Sequence, residues 1–378
     1  DQYSATPGEA QQRRILLASH HASRRGSAIS LVELGMRLFE HDYEPVFVFS
    51  KHGALVDELI ERGFKVFMVK RAGMFRMATI REVFGIIRAQ GISLVHANSA
   101  VAFSKYAAMA GRLAGIPVIW HIREPIEDKR MVRQRRWIRW LANSIIVLTR
   151  QQARFFGMPE KTHRIFNGVD LARFQRQMDR SAAKAALGYS ANDFLFIQIG
   201  SIEHNKGQYR SVQALARLLP ALPHCHLLIV GAVLEREELE ALETLTRTNP
   251  ELKAAVRIYG ESADVTPLIW ASDCLLLPSL RESFPRTIME AMAAGTPVVA
   301  SAVGAVEDMI EDGVTGMQVP PNDIEALTNN MRAMAGQNPT EAMEMATRCV
   351  SAAQRLFAME THVAAITTLY DQLLAKQP

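Results

Sequence analysis

Short apolar runs alternate with longer segments of helical spacing through the first half of the chain. The runs predict strands at 14–19, 45–50, 65–70, 94–97, 118–122 and 144–148. The segments between them predict helices that include 27–40, 55–62, 79–90 and 101–114. Strands that alternate with helices indicate a parallel sheet joined by right-handed crossovers.

The same alternation restarts after Asp179, with predicted strands at 194–199, 225–231, 256–259, 274–277, 297–300 and 317–319. A chain of 378 residues is also too long for one compact core. We therefore predict an α/β protein of two Rossmann-like, doubly wound domains, the first at 1–178 and the second at 179–355. An interdomain ligand cleft is expected at the carboxyl ends of both sheets. The helical tail, 356–378, is expected to pack back on the first domain.

Two glutamates, Glu282 and Glu290, mark the most distinctive segment, 279–301. Glu282 falls in a predicted loop, whereas Glu290 falls inside a short helix that ends at Gly295. The N-terminus of that helix offers backbone N–H groups and a positive dipole end, which suit a phosphate. This arrangement predicts a nucleoside diphosphate ligand held at three points. The alternative is an ordinary capped helix with solvated acids.

A lysine follows the first predicted strand of the second half. Gly200 allows a tight backbone turn there, and Lys206 stands just before the next predicted helix. A lysine at a strand-to-helix turn is suited to neutralise a diphosphate. A loop lysine is more often simply solvated, so this interpretation depends on the glutamate segment.

Polar residues also follow two predicted strands of the first half. His121, with Arg123 and Glu124 after it, lies near the carboxyl end of a predicted strand, where the ligand cleft is expected. A neutral imidazole there suits a hydrogen bond to a sugar hydroxyl. The alternative is a structural imidazole that bonds to the backbone. Gly26 and Ser27 begin a helix whose N–H groups suit a phosphate. The Gly-x-Gly-x-x-Gly fingerprint is missing, which disfavours a nicotinamide cofactor.

The histidine-rich spots do not have the spacing of a metal site. His20 and His21 are adjacent, and His224, Cys225 and His226 open an apolar run without further ligands nearby. We predict no metal and no bound cofactor.

The net charge of +4 conceals an asymmetry between the two halves. Residues 1–180 carry 29 Lys and Arg against 16 Asp and Glu, a balance of +13, and residues 181–378 carry 14 against 23, a balance of −9. The first half is therefore expected to face something anionic, such as phospholipid head groups, a lipid phosphate acceptor or nucleic acid.

The basic segment 128–141 also carries two tryptophans. On a helix, Met131, Ile138 and Leu141 would form an apolar side flanked by cations and indoles, as in interfacial helices. A domain helix with a solvated basic face is an equal alternative, and nucleic acid is less supported because no recognition module accompanies the charge. The predicted membrane- and acceptor-facing residues are Lys129, Arg130, Arg133, Arg136, Trp137, Arg139 and Trp140.

The remaining composition is typical of a globular enzyme, with 48% apolar and 22% charged residues. Three scattered cysteines predict buried, reduced thiols. The chain has no apolar run of about eighteen residues, and the polar stretch 1–14 has no apolar core, so neither a spanning helix nor a secretory signal is expected. We expect a cytoplasmic protein that docks peripherally on the inner face of the cytoplasmic membrane.

Taken together, these residues resemble glycosyltransferase family 4, whose members have the GT-B fold of two Rossmann-like domains. The resemblance covers nearly the whole chain, and the segment 166–170 is similar to the family's linker-side signature. The densest motifs lie at 259–260, 271–273, 278–279, 282–290, 291–300 and 313–316.

The resemblance implies that Glu290 binds the ribose, that Glu282 contacts the donor sugar and that Lys206 holds the diphosphate. From the first domain, Gly26 would approach the phosphates and His121 the sugar, which makes Glu282 and His121 the predicted catalytic residues. Members transfer a sugar from a nucleotide-sugar with retention, generally without a metal, and UDP is favoured over GDP here. The other predicted donor-binding residues are Ser201, Gly260, Ser283, Phe284 and Arg286.

Two positions depart from the family pattern. Ser201 stands where many members carry an arginine, so Arg286 or Arg281 is expected to supply the second cation on the diphosphate. Pro285 lacks an N–H group at the helix start. We predict a hexosyltransferase that acts on a lipid-linked or envelope glycan. The alternatives are a nucleotide-sugar epimerase or phosphorylase of the same architecture, or a non-catalytic membrane scaffold.

Overall fold

The computed structural model describes residues 12–23, 26–69 and 76–376. Most of the stretch 1–14 and the predicted strand end at Lys70 lie outside these residues. The chain divides into two compact units, which we call the first unit (up to Gly168, and from His362) and the second unit (Val169–Thr361). The domain limits drawn from the sequence, at 178 and 355, differ from these and stay a prediction.

The first unit contains a parallel sheet of seven strands in the described residues, in the order β3-β2-β1-β4-β5-β6-β7. Its strands are β1 Arg13–Ser19, β2 Tyr43–Phe49, β3 Lys65–Met68, β4 Ile92–Asn98, β5 Val118–His121, β6 Ser144–Val147 and β7 Thr162–Arg164. The helices that connect them are α1 Gly26–Arg37, α2 Ala54–Glu61, α3 Arg76–Gln90, α4 Ala102–Leu113, α5 Lys129–Leu141 and α6 Arg150–Phe156.

The second unit contains a parallel sheet of six strands in its described part, in the order β10-β9-β8-β11-β12-β13. Its strands are β8 Phe194–Ile199, β9 Cys225–Val230, β10 Val256–Gly260, β11 Cys274–Leu277, β12 Val298–Ser301 and β13 Gly316–Val319. Its helices are α7 Leu171–Phe174, α8 Arg180–Ala186, α9 Gln208–Leu218, α10 Arg236–Thr248, α11 Pro250–Ala255, α12 Thr266–Ala271, α13 Arg286–Ala293, α14 Val306–Met309, α15 Ile324–Ala335 and α16 Pro339–Phe357. The last helix, α17 Met359–Leu374, begins in the second unit and continues into the first.

Each sheet has a point where the strand order reverses, between β1 and β4 in the first unit and between β8 and β11 in the second. Loops that leave the carboxyl ends of such a strand pair run in opposite directions and leave a crevice, which is where open α/β sheets bind ligands. Every residue of β11 and β12 is buried, as expected for central strands covered on both faces.

The structure confirms every strand predicted from the apolar runs, to within a residue or two at each described end. It adds β7, which the pattern missed because Thr162, His163 and Arg164 are polar and form a short edge strand. The predicted helical tail is interrupted at Ala358, whose extended backbone forms a bridge with Val169. None of the described helices combines the length and the apolar character that crossing a bilayer requires.

Candidate functional site

The loop after β8 carries Lys206 in a short 3-10 turn, His204–Lys206. The side-chain amide of Gln198 donates to the carbonyl of Lys206 at 2.8 Å, which ties the turn back to the strand. Gly207 follows with φ 74 and packs against Arg210 and the carbonyl of Pro278, where a β-carbon would collide. The turn is therefore fixed by buried polar contacts, as a preorganised binding loop requires.

The loop after β11 carries Glu282 and is held against the Lys206 loop. The backbone N–H of Leu280 donates to the carbonyl of Asn205 at 2.8 Å, and the Asn205 amide donates to the carbonyl of Arg281 at 3.1 Å. These two loops leave the strands that flank the reversal point of the second sheet. The strand order therefore brings together two loops that are far apart in the sequence and that carry the predicted site residues Lys206 and Glu282.

Lys206 and Glu282 form an ion pair, with 2.7 Å between Nζ and Oε1. The Ser279 hydroxyl donates to the same carboxylate oxygen at 2.8 Å. The side chains are 23% and 9% exposed, so the pair is partly shielded from water but open to a ligand. A cation beside a carboxylate that still has a second oxygen can bind a phosphate and a hydroxyl side by side.

Helix α13 begins directly after this loop, with Pro285 as its N-cap. Its first residue, Arg286, lies 3.7 Å from Glu290 (Nε to Oε1), one turn along the helix. The second cation and the second glutamate of the predicted site are therefore paired, both more than four-fifths buried. Arg281 is exposed and presents its backbone to Asn205.

The residues between Glu282 and α13 lie against the turn at Gly304. The N–H of Ala305 donates to the carbonyl of Ser283 at 3.0 Å, and Phe284 packs edge-on against Phe357. Gly304 has φ 59, and a β-carbon there would overlap the carbonyl oxygen of Glu282. The shape of the Glu282 loop therefore depends on a glycine that its own motif does not contain.

Replacing Gly304 with alanine is expected to displace Glu282 and to lower both the melting temperature and the turnover of the donor. The matched control is Gly313→Ala, because Gly313 has φ 72 but open space around a β-carbon. In that control, alanine adds only the strain of the left-handed backbone conformation, about 1–2 kcal/mol, without a steric clash. Thermal unfolding and donor turnover of both variants test this, and equal losses of turnover would contradict it.

Two other predicted donor-binding residues lie at strand ends of the second unit. Gly260 ends β10, and its carbonyl accepts the N–H of Gly231 at 2.8 Å. The Ser201 hydroxyl donates to Glu203 at 2.6 Å, two positions further along the loop. Ser201 therefore bonds to an acid, and its uncharged hydroxyl does not supply a second cation.

In the first unit, His121 is the last residue of β5 and is fully buried. Burial, with the cationic Arg123 and the neighbouring histidines His96 and His362, holds its pKa well below the usual range. The neutral imidazole expected from the sequence is thus present at neutral pH. The predicted Gly26 begins α1, and the carbonyl of the next residue, Ser27, accepts the amide of Asn98 at 3.1 Å.

Arg123 joins the ends of β4 and β5 to the segment 166–168. Its Nε donates to Asn98 at 2.8 Å, and another guanidinium N–H donates to Asn167. Glu124 accepts the N–H of Ala100 at 2.7 Å, and burial raises its pKa. Arg123 and Glu124, which the sequence placed near a ligand, thus make structural contacts. Their partners could not be predicted from the sequence, because asparagine amides and backbone groups follow no periodic pattern.

Helix α5 has a buried side and an exposed, mostly basic side, as the sequence predicted. Met131, Gln134, Ile138 and Leu141 are buried. Trp140 is 70% exposed, and the other exposed residues are Lys129, Arg130, Val132, Arg133, Arg136, Trp137 and Arg139.

Trp137 packs edge-on against Trp140, and the Lys105 ammonium of α4 lies 5.3 Å from the Trp137 ring centre. We call the exposed residues of α5 together with Lys105 the basic indole face.

The three cysteines are free and buried, as predicted. Within the described ranges, His, Cys, Asp and Glu do not form a group of three or more that could hold a metal.

Two family models match consecutive parts of the chain. The model described as Glycosyltransferase Family 4 matches residues 24–173. The model described as Glycosyl transferases group 1 matches residues 179–358, which include Lys206, Glu282 and Glu290.

Two curated relatives are similar to about two thirds of the chain. A lipopolysaccharide core biosynthesis mannosyltransferase of Rhizobium meliloti is 27% identical, over 61% of this chain and 66% of the relative. A UDP-Gal:α-D-GlcNAc-diphosphoundecaprenol α-1,3-galactosyltransferase of Escherichia coli is 24% identical, over 67% of this chain and 69% of the relative. The chain therefore aligns with about two thirds of each relative's length.

The crystal structure of the Anabaena protein HepE in complex with UDP superposes with a TM-score of 0.85 at 22% identity, over 96% of this chain and 100% of that one. At this identity the likeness shows the fold, which is GT-B with two Rossmann-like domains. Because the two family models together span most of the sequence, the chain belongs to the family 4 glycosyltransferases.

Proposed function

We propose that this protein is a retaining, metal-independent glycosyltransferase that moves a hexose from a UDP-sugar to a lipid-linked or envelope glycan. The observation that carries the proposal is the Lys206–Glu282 pair on the two loops at the reversal point of the second sheet. Family membership supports transfer as the reaction. The relatives named for a lipopolysaccharide core and for a diphosphoundecaprenol-linked acceptor support the acceptor class.

The chemistry requires stabilisation of the departing nucleotide. As the bond between the sugar and the diphosphate breaks, negative charge grows on the phosphate oxygens. Lys206 and the N–H groups that open α13 supply fixed positive charge for those oxygens. Glu282 would bind hydroxyls of the sugar and Glu290 those of the ribose.

A thermal-shift screen tests the donor. We expect a UDP-hexose to raise the melting temperature more than GDP- or ADP-sugars, because bound ligand stabilises the folded state. Release of free UDP only when a glycan acceptor is present would distinguish transfer from epimerisation. If no nucleotide-sugar shifts the melting temperature, the proposal fails.

Two further measurements test the finer points. The anomeric configuration of the product, read from its one-bond C–H coupling, must match that of the donor if the enzyme retains configuration. Turnover must survive exhaustive chelation with EDTA if no metal takes part.

The basic indole face supports docking on an anionic membrane. Indole rings prefer the head-group region, and each basic residue near anionic lipid adds about 1 kcal/mol of attraction. Trp140 and Val132 are exposed among cations. Exposed apolar side chains beside basic residues are typical of an interfacial helix, not of a helix whose outer face is purely solvated. This placement would bring the enzyme to a lipid-linked acceptor.

Removing two cations from this face is expected to weaken binding to vesicles of anionic phospholipid roughly 30-fold at low salt. The variant is Arg133→Gln/Arg136→Gln, and Trp140→Ala is expected to weaken binding further. Met343→Ala is the control, because Met343 is an exposed apolar residue of α16. Vesicle co-sedimentation measures the effect, and unchanged binding of the double variant would contradict membrane docking by this face.

A further inference from the structure

A line of buried side chains in the first unit runs from α17 to the end of β5. The Tyr370 hydroxyl lies 2.7 Å from Nδ1 of His96, and Nε2 of His96 lies 3.2 Å from Nδ1 of His121. Tyr370 comes from α17, whereas the two histidines come from the neighbouring strands β4 and β5. All three side chains are fully buried.

These three groups are all neutral at physiological pH. Burial, with the nearby Arg123, lowers the pKa of both imidazoles, and burial raises the pKa of the phenol. Each imidazole therefore carries one N–H group, and Tyr370 keeps its hydroxyl proton.

The Tyr370 phenol determines which group donates in each of these hydrogen bonds. Within the described part of the chain, the Tyr370 hydroxyl has one hydrogen-bond partner, Nδ1 of His96. If Nδ1 carried the proton of His96, the phenol proton would be buried without an acceptor, which is costly. The phenol therefore donates, and His96 must carry its proton on Nε2.

We propose that Tyr370 is a positioning residue that fixes the tautomer of His121 through His96. The N–H of His96 Nε2 donates to Nδ1 of His121, so the proton of His121 sits on Nε2. That nitrogen is buried and has no hydrogen-bond partner among the described residues. His121 thus presents a fixed N–H donor, which suits an acceptor lone pair.

The identity of that acceptor rests on the proposed function, under which it is a hydroxyl oxygen of the donor sugar. The tautomer itself does not depend on the reaction. A His121 locked in this form can recognise the sugar but cannot accept a proton from it. The distant α17 therefore controls which hydrogen bond the site offers.

The test is the long-range ¹H–¹⁵N spectrum of the full chain labelled with [¹⁵N]histidine, recorded without ligand. The variants His96→Gln and His121→Gln assign the two imidazoles. We expect the Nε2–H pattern for both rings in the unmodified protein. In Tyr370→Phe, we expect His121 to become a mixture of tautomers, because His96 no longer receives a directing proton.

Tyr43→Phe is the matched control. The Tyr43 ring lies 5.3 Å from that of Tyr370, but its hydroxyl bonds to Asp371 and not to a histidine. This variant is expected to leave the tautomers unchanged. The catalytic efficiency with a UDP-sugar is expected to fall roughly tenfold in Tyr370→Phe, because one correctly oriented hydrogen bond is lost. It is expected to change little in Tyr43→Phe.

An Nδ1–H pattern for His121 in the unmodified protein would overturn the inference, even if Tyr370→Phe failed to fold. An unchanged His121 pattern in a folded Tyr370→Phe would overturn it equally. If the expected tautomers appear but no UDP-sugar is turned over, the positioning role stands and the proposed function fails.

Discussion

Replacing Lys206 with alanine is expected to lower kcat for sugar transfer about 10²- to 10³-fold, the usual loss when one preorganised group that stabilises a developing anion is removed. The ammonium is the cation of the Glu282 pair, and it would stabilise the departing diphosphate. Steady-state kinetics with a UDP-sugar measures the loss. Lys253→Ala, at an exposed position of α11, is the control and should keep full activity.

The same substitution should also weaken binding of UDP. Without Lys206, the Glu282 carboxylate keeps the hydrogen bond from the Ser279 hydroxyl but loses its cation, and its negative charge repels the diphosphate. The double variant Lys206→Ala/Glu282→Gln should therefore bind UDP more tightly than Lys206→Ala, as calorimetry would show. Full transfer and UDP affinity in Lys206→Ala would refute the diphosphate role.

Replacing Glu282 with alanine is expected to lower kcat/KM for the donor about 10- to 100-fold, the loss of a hydrogen bond between a charged group and a buried hydroxyl. Its second carboxylate oxygen is the group available to a sugar hydroxyl, because Oε1 already binds Lys206 and Ser279.

Ser279→Ala is the control for Glu282→Ala, since it removes one hydrogen bond from the carboxylate and keeps its charge. It should lose only a few-fold in kcat/KM. UDP without a sugar should bind Glu282→Ala nearly as well as the unmodified protein. If Glu282→Ala loses no more than Ser279→Ala, the carboxylate does not contact the sugar.

The strands were predictable because a strand covered on both faces must be apolar along its whole length. Cys274–Leu277 and Val298–Ser301 are buried at every residue, and their runs stand out in the sequence. Thr162–Arg164 was not predictable, because an edge strand of three residues needs no apolar run. The break at Ala358 was hidden as well, since alanine favours a helix and its extended backbone comes from pairing with Val169.

The placement of the candidate site residues was predictable where a motif is contiguous and hidden where it is not. Glu282, Glu290 and the start of α13 lie in one segment, and the structure places them in the loop and the helix expected. Gly304 and the residues that bind Arg123, by contrast, lie in other segments and show no pattern of their own.

By itself, the sequence determined the α/β class, the restart that yields two sheets, and the candidate residues whose chemistry suits a phosphate and hydroxyls. Local spacing and side-chain chemistry are enough for these. The tertiary structure decided which residues meet. Lys206 reaches Glu282 across 76 positions because β8 and β11 are neighbours in the sheet. Tyr370 reaches His96 across 274 positions because α17 packs in the first unit, and contacts so distant in sequence leave no periodic trace along the chain.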